Sequence, residues 1–425
     1  MRNFKYGVSL ANAMVEISNP KLAELDKKIG EFYKLNARYM GSIANLHGKQ
    51  VYKTEFSRLM KEAEAIQPES EFDALLLRNI KSNLKLSDVT IDFLTNSDFS
   101  LPVKDFIELI AGEGAWAYLE EKMRNPLWEK QWNYSEKTQE RSYSQVSSFI
   151  EEAQTAARAC LPKIKEDMLN YGKSEGYLPA DFDMNILLLP PNNGAQYSSW
   201  NSKAKIFNMG SYCFEFFIKN RGVIAVPTQA YNTAFHEILG HGAHQIFSEK
   251  LPYSVRFTEE IGTITPTKSI TEGVAINNEK ESFAFLRKNL KNMNLTEDDI
   301  QLLEDSDALA QESIYNAMYC ALIKDRELRE KGFDGYEHIL KLTKNPIIAR
   351  GFKYDFKQDF RDNWRHFGHT FGPMHYKRML ERVKQEFGEE YLTKEKKRFN
   401  EATLSGVWSW EVYPDAVIYF LKNKA

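Results

Sequence analysis

The 425-residue chain is poor in cysteine, with only Cys160, Cys213 and Cys320, which lie far apart and form no CxxC pair. That spacing excludes a disulfide framework and a thiolate metal site, and it fits reduced thiols in a cytoplasm. Long apolar runs are also lacking. No window of about 18 apolar residues is present to span a bilayer, and charged and polar residues interrupt the N-terminal MRNFKYGVSLANAMVEISNP, which therefore lacks the apolar core of a signal peptide. Charge of one sign is missing too: 56 Lys and Arg stand against 59 Asp and Glu, a net of -3, so no whole-chain field attracts nucleic acid or an anionic membrane. Repeats, low-complexity tracts and Gly/Ser linkers are absent. A cytoplasmic protein with no nucleic-acid or membrane partner is expected, its oligomeric state left open.

A 43% hydrophobic and 13% aromatic content is enough for an ordinary packed core. The length allows one large domain or two intimate lobes with a cleft. Helical periodicity runs through KLAELDKKIGEFYKLNARYMGSIANL and EFSRLMKEAEAI, then over Glu71 to Leu84, Val103 to Met123, and Ser135 to Tyr171, with Gly172 as the expected C-cap. The pattern changes at MNILLLPP, and KIFNMGSYCFEFFIKNRGVIAVP reads as two or three strands. Helical patterns return over Thr228 to Phe247, Ser269 to Leu290, Glu297 to Glu330, Gly335 to Leu342 and several segments after Phe371. The expected fold is mainly α with a small β-sheet. A helical lobe, 1–172, would precede a second lobe, 173–425, that carries the chemistry, with 173–205 as the joint or cleft-lining loop.

Chemistry concentrates in NTAFHEILGHGAHQIF, where His236, Glu237, His241 and His244 fall on one apolar helix. Imidazoles and carboxylates converging at about 2 Å are what zinc requires, and a histidine pair on one helix is a simple start. The spacing is unusual. Two histidines five residues apart are separated by about 140° on a regular helix, so His236 and His241 converge only if a π-type bulge widens the turn, which Gly240 would ease. The competing arrangement is Glu237, His241 and His244, which share a face of an undistorted helix.

HEILGHG resembles the HELLGHG segment of the dipeptidyl-peptidase III family, zinc peptidases with this five-residue spacing. The resemblance implies that His236 and His241 bind Zn²⁺ and that Glu237 is the general base. The third ligand in such gluzincins is a Glu on a following helix, and SITEGVAINNEKES offers Glu272 in a context similar to EGxA and ECRA segments. Glu279 shares a helix face with Glu272 and would stand behind the ligands, while Glu281 points away. The order of helices, small sheet, HE motif and EGxA helix also resembles the mostly helical gluzincins, among them thermostable carboxypeptidases and angiotensin-converting-enzyme-like peptidases, which implies a deep active-site cleft. NWRHFGHTFGPMHYKRML is similar in kind to their C-terminal substrate-contacting turn, making His366, His369, His375 and Tyr376 candidates. Of these, Tyr376 and His375 are the expected transition-state donors.

The resemblance thus implies a zinc metallopeptidase, an exopeptidase or dipeptidyl peptidase acting on short peptide substrates; the strand ending in VIAVP, just before the motif, is expected at the cleft edge, where it would hold an extended peptide by main-chain pairing. The alternatives are a zinc hydrolase of a non-peptide amide and an inactive helical metal- or peptide-binding protein. A di-iron bundle is excluded because no histidine follows a Glu by three residues. Simpler readings stand beside these. Glu272 also fits an exposed carboxylate near a helix start, capped by Ser269 or Thr271, and the C-terminal histidines fit an aromatic cluster with Trp364, Phe367 and Phe371.

Overall fold

A computed structural model describes residues 15–40, 46–95, 100–124, 150–189, 198–219, 222–256, 267–354 and 366–423. It is mainly α with two small sheets. Among the described residues five helices come first: α1 (Pro20–Met40), α2 (Leu46–Glu64), α3 (Glu71–Thr95), α4 (Val103–Ala111) and α5 (Ala115–Arg124). The next, α6 (Ile150–Glu175), passes through Gly172 and ends three residues later. Its terminator is Gly176, at φ +84, where a Cβ would lie 2.6 Å from the Lys397 carbonyl. The earlier part of the expected helix, 135–149, lies outside the described residues.

The apolar run before the two prolines is a strand, β1 (Asn185–Leu188), which pairs in parallel with β3 (Ile206–Met209). β3 pairs antiparallel on its other side with β2 (Ser199–Asn201), whose three residues are too few to show a period-2 pattern in the sequence. A separate hairpin joins β4 (Glu215–Lys219) to β5 (Gly222–Val226). The single expected sheet is therefore two.

From β5 the chain turns at Pro227 into α7 (Thr228–Ala234), a π-helical segment (Phe235–Gly242) and α8 (Ala243–Ser248), which form one continuous rod. Then follow α9 (Lys268–Met293), α10 (Glu297–Arg329), α11 (Gly335–Thr343), α12 (Pro346–Tyr354), α13 (Phe367–Phe387), α14 (Tyr391–Lys394), α15 (Lys396–Thr403) and α16 (Tyr413–Asn423). α10 opens with a capping box, Thr296 and Asp299 satisfying each other's backbone N–H groups. Among the described residues no helix is long and apolar enough to cross a membrane.

Among the described residues apolar burial falls into two clusters. The larger joins Leu22, Phe72, Phe235, Leu239, Val274, Trp408 and Phe420, so early helices and the last helix share one core, with Phe72 and Trp408 edge to face at 6.3 Å. The smaller gathers Phe93, Phe106, Tyr319, Phe367 and Phe371. α13 serves both, through Phe367, Phe371 and Met374 on one side and Tyr376, Met379 and Val383 on the other.

Where α9 crosses its neighbours, small residues let the backbones touch. A Cβ on Gly273 would fall 2.4 Å from the Gly372 carbonyl oxygen of α13, one on Gly368 would fall 2.7 Å from the Glu272 Cγ, and one on Gly240 would fall 2.7 Å from the Ala275 Cα. These contacts clamp the π segment and α13 onto α9. Gly273→Ala should therefore push α9 and α13 apart, costing about 1–3 kcal/mol as overpacking does. A urea-denaturation midpoint unchanged from wild type would show that the crossing is looser than its geometry implies.

Candidate metal centre

The five-residue histidine spacing meets its geometric condition locally. Phe235–Gly242 is a π-helix, and the Ala243 N–H reaches the Ile238 carbonyl five residues back. The widened turn brings the His236 and His241 rings to one side, their centroids 4.9 Å apart. Asn278 of α9 pins the segment by donating Nδ2–H to the Leu239 carbonyl at 2.9 Å, inside the protein. Gly240 matters for a second reason beyond bending: it is the point at which the π segment presses on Ala275.

α9 carries Glu272 into the same place. His236, His241 and Glu272 form a group whose ligand atoms all lie within 4.8 Å of one another, and which could hold a metal ion. Glu272 is 4% exposed, which disposes of the exposed helix-start reading. Nor do Ser269 or Thr271 cap that helix: it begins after Thr267, the Ser269 hydroxyl bonds His375, and the Thr271 hydroxyl bonds the Lys268 carbonyl. The alternative set of Glu237, His241 and His244 is not assembled, because buried His244 places Nε2 3.0 Å from the Gly406 carbonyl.

The fit to a cation rests on the donors themselves. Glu272 Oε2 is buried and makes no well-formed hydrogen bond, yet the Nε2 atoms of His369, His241 and His236 surround it at 3.3, 3.5 and 3.6 Å. These separations are long for hydrogen bonds. They suit donors arranged round a common centre. Burial alone would push the Glu272 carboxyl up, but the imidazoles of His369 and His241 hold it well below the usual carboxylate range. Burial likewise opposes charge on His236, yet Glu279 and Glu272 raise that imidazole well above its ordinary value. The cluster is electrostatically built to pair carboxylate with positive charge.

Behind the group stands Glu279, two turns along the same helix face as Glu272, as the spacing predicts. Its Oε1 is 2.8 Å from His236 Nδ1, within hydrogen-bonding distance but oblique to the ring N–H. A carboxylate at Nδ1 is the usual means of fixing which nitrogen a ligating histidine presents. Asp307 of α10 hydrogen-bonds Glu279, and burial, with Glu279 beside it, pushes its carboxyl up to about 7. Glu281 instead turns to Tyr171 and Lys396, at 2.9 Å each. Glu237 is half-buried next to His236, and desolvation raises its carboxyl, with His241 and His236 acting against the rise.

The C-terminal candidates separate. His369 reaches the group, its Nε2 3.3 Å from Glu272, and Gln311 of α10 holds its backbone carbonyl at 2.8 Å. His375 points elsewhere: Nδ1 meets the Ser269 hydroxyl at 2.7 Å, Nε2 meets the Ala111 carbonyl at 2.8 Å, and the ring stacks on Trp410. Tyr376 is buried, with Glu281, Tyr177 and Tyr413 as its electrostatic neighbours. His366 lies at the α13 N-cap, and Trp364 lies outside the described residues. Asp307 and Asn278 escaped the reading of the sequence. Neither has a local signature, because the groups they meet, Glu279 for Asp307 and the Leu239 carbonyl for Asn278, lie elsewhere in the chain.

The class defined by fold and site is a mainly helical protein with a buried His236/His241/Glu272 group that could bind a metal. Comparison with models of known families, with curated proteins and with solved structures found no match in any of the three.

Buried His244 makes the stability depend on pH, since burial takes its imidazole down to about 4. The unfolded chain takes up this proton below about 6.5 and the folded chain refuses it until about 4. The neutral-histidine contribution is thus complete above 6.5 and drains away as the pH falls. The stability deficit of His244→Gln relative to wild type should therefore shrink by about 2 kcal/mol between pH 7 and pH 5. Parallel urea titrations at the two pH values measure it; a constant deficit would mean that His244 is solvated.

Proposed function

We propose that the protein is a zinc-dependent hydrolase and that its substrates are peptides. The observation that carries this reading is the convergence of His236, His241 and Glu272 through a π-helical turn, with Glu237 placed between the two histidines. Two imidazoles and one carboxylate are a donor set typical of catalytic zinc, which keeps a position open for water or substrate. Bound there, the metal would supply Lewis acidity to the scissile carbonyl and to water.

The remaining work belongs to the chain. Glu237, whose carboxyl burial has made more basic, takes the proton of the attacking water and delivers it to the leaving amine. His369, beside Glu272 rather than remote from it, is better placed than His375 or Tyr376 to donate to oxyanion charge that develops at the carbonyl. β5 pairs with β4 on one edge and with no second strand among the described residues, so its other edge can hold an extended peptide through main-chain hydrogen bonds. That favours peptides over other amides.

The test joins metal analysis to one substitution. The wild type should purify with about one zinc per chain and cleave members of a peptide library. Glu237→Gln should keep the zinc and lose cleavage by about 10²–10⁴-fold, the range general-base removal produces. Zinc retained with no cleavage by the wild type would favour a metal-dependent binding protein, and zinc absent from the wild type would reject the proposal.

A further inference from the structure

A second feature lies about a quarter-turn round α9 from Glu272 and Glu279. There α5, α9, α10 and α13 enclose an open cavity of about 560 Å³ that shares no residue with the metal group. Among the described residues its lining carries four cations, Lys122, Lys280, Lys377 and Arg378, against two carboxylates, Glu121 and Glu381. In a chain whose net charge is -3, that is a local reversal of sign.

The cations differ in what occupies them. Lys377 has Glu381 at 3.9 Å, and Arg378 spends its donors on the Ala111 and Glu113 carbonyls. Lys122 is held otherwise: its ammonium sits 5.3 Å from the Tyr118 ring centroid and 5.9 Å from that of Tyr315. Aromatic faces orient an ammonium without neutralising it. Among the described residues neither Lys122 nor Lys280 has an ion-pair partner, although Lys280 feels the Asp307 carboxyl. The two tyrosine hydroxyls meet at 2.8 Å, and α10 carries both Tyr315 of this wall and, one turn earlier, Gln311, which holds the His369 carbonyl.

We propose that this cavity is a binding site for the oxyanion group of a small acidic molecule, a carboxylate or a phosphate gripped by Lys122 and Lys280. A preformed concave site with two cations that form no ion pair among the described residues favours such a group electrostatically. Phosphate presents the denser charge and carboxylate the planar one, and the lysine ammonium, a point charge with three donors, accepts either.

Calorimetric titration of the full chain at low ionic strength, with succinate in one arm, inorganic phosphate in a second and neutral glycerol as control, tests this. Saturable binding of succinate or of phosphate, with none of glycerol, is expected, and the arm that saturates identifies the source. Lys122→Gln with Lys280→Gln should weaken that binding at least tenfold, and Lys280→Glu alone should also weaken it. A control pair on exposed α1 and α2 lysines, Lys27→Gln with Lys61→Gln, should leave it unchanged. No saturation by either anion, or equal weakening by the control pair, would overturn the proposal. Zinc per chain, read on the same samples, reports the metal centre separately, so the two readings fail independently.

Discussion

Glu272 is the constraint on which the centre of the molecule turns. A carboxylate buried to 4% exposure is costly unless positive charge or hydrogen bonds compensate it. Its Oε2 has no well-formed hydrogen bond and three imidazole nitrogens within 3.6 Å. Two separate stretches of chain, the π segment and α13, must bring those imidazoles to a carboxylate on a third, so the position of one carboxyl group dictates how the π segment, α9 and α13 are stacked. Glycine makes the stacking possible, because Gly240, Gly273, Gly368 and Gly372 each stand where a Cβ would strike a neighbouring helix. Packing and chemistry are therefore one requirement in this region.

The outer contacts extend the same logic. Glu279 faces His236 and Asp307 shares a hydrogen bond with Glu279, so α10 is tied to the centre through a carboxyl pair. Gln311, one turn further along α10, holds the backbone beside His369. Asn278 secures the widened turn from the other side. Each is a polar group inside a packed interior, and together they fix the imidazoles against rotation.

Much of this was legible in the sequence, for reasons that differ by element. Long helices such as α9 and α10 announce themselves through sustained periodicity, and their observed bounds lie within a few residues of the pattern. The π turn was legible as a condition, because histidines five apart cannot converge otherwise. Glu272 came from resemblance, and Glu279 followed from helical spacing. His369 and His375 sat in one His-rich run, yet six residues on a helix is about 120° away from a shared face, so the two had to point apart. Which of them faces the centre depends on how α13 crosses α9. That crossing is set by Gly273 and Gly372, far apart in the chain. Asp307, Asn278 and the three-residue β2 carry no local signature, since their partners are distant in sequence.

Crystals of the protein grown with zinc offer the most direct measurement, an anomalous difference map collected at the zinc absorption edge. A single strong peak is expected about 2 Å from the His236 and His241 Nε2 atoms and a Glu272 carboxylate oxygen, the usual zinc–ligand distance. A zinc peak held instead by His241 and His244, or the absence of any peak among His236, His241 and Glu272, would contradict the assignment of this group as the metal centre.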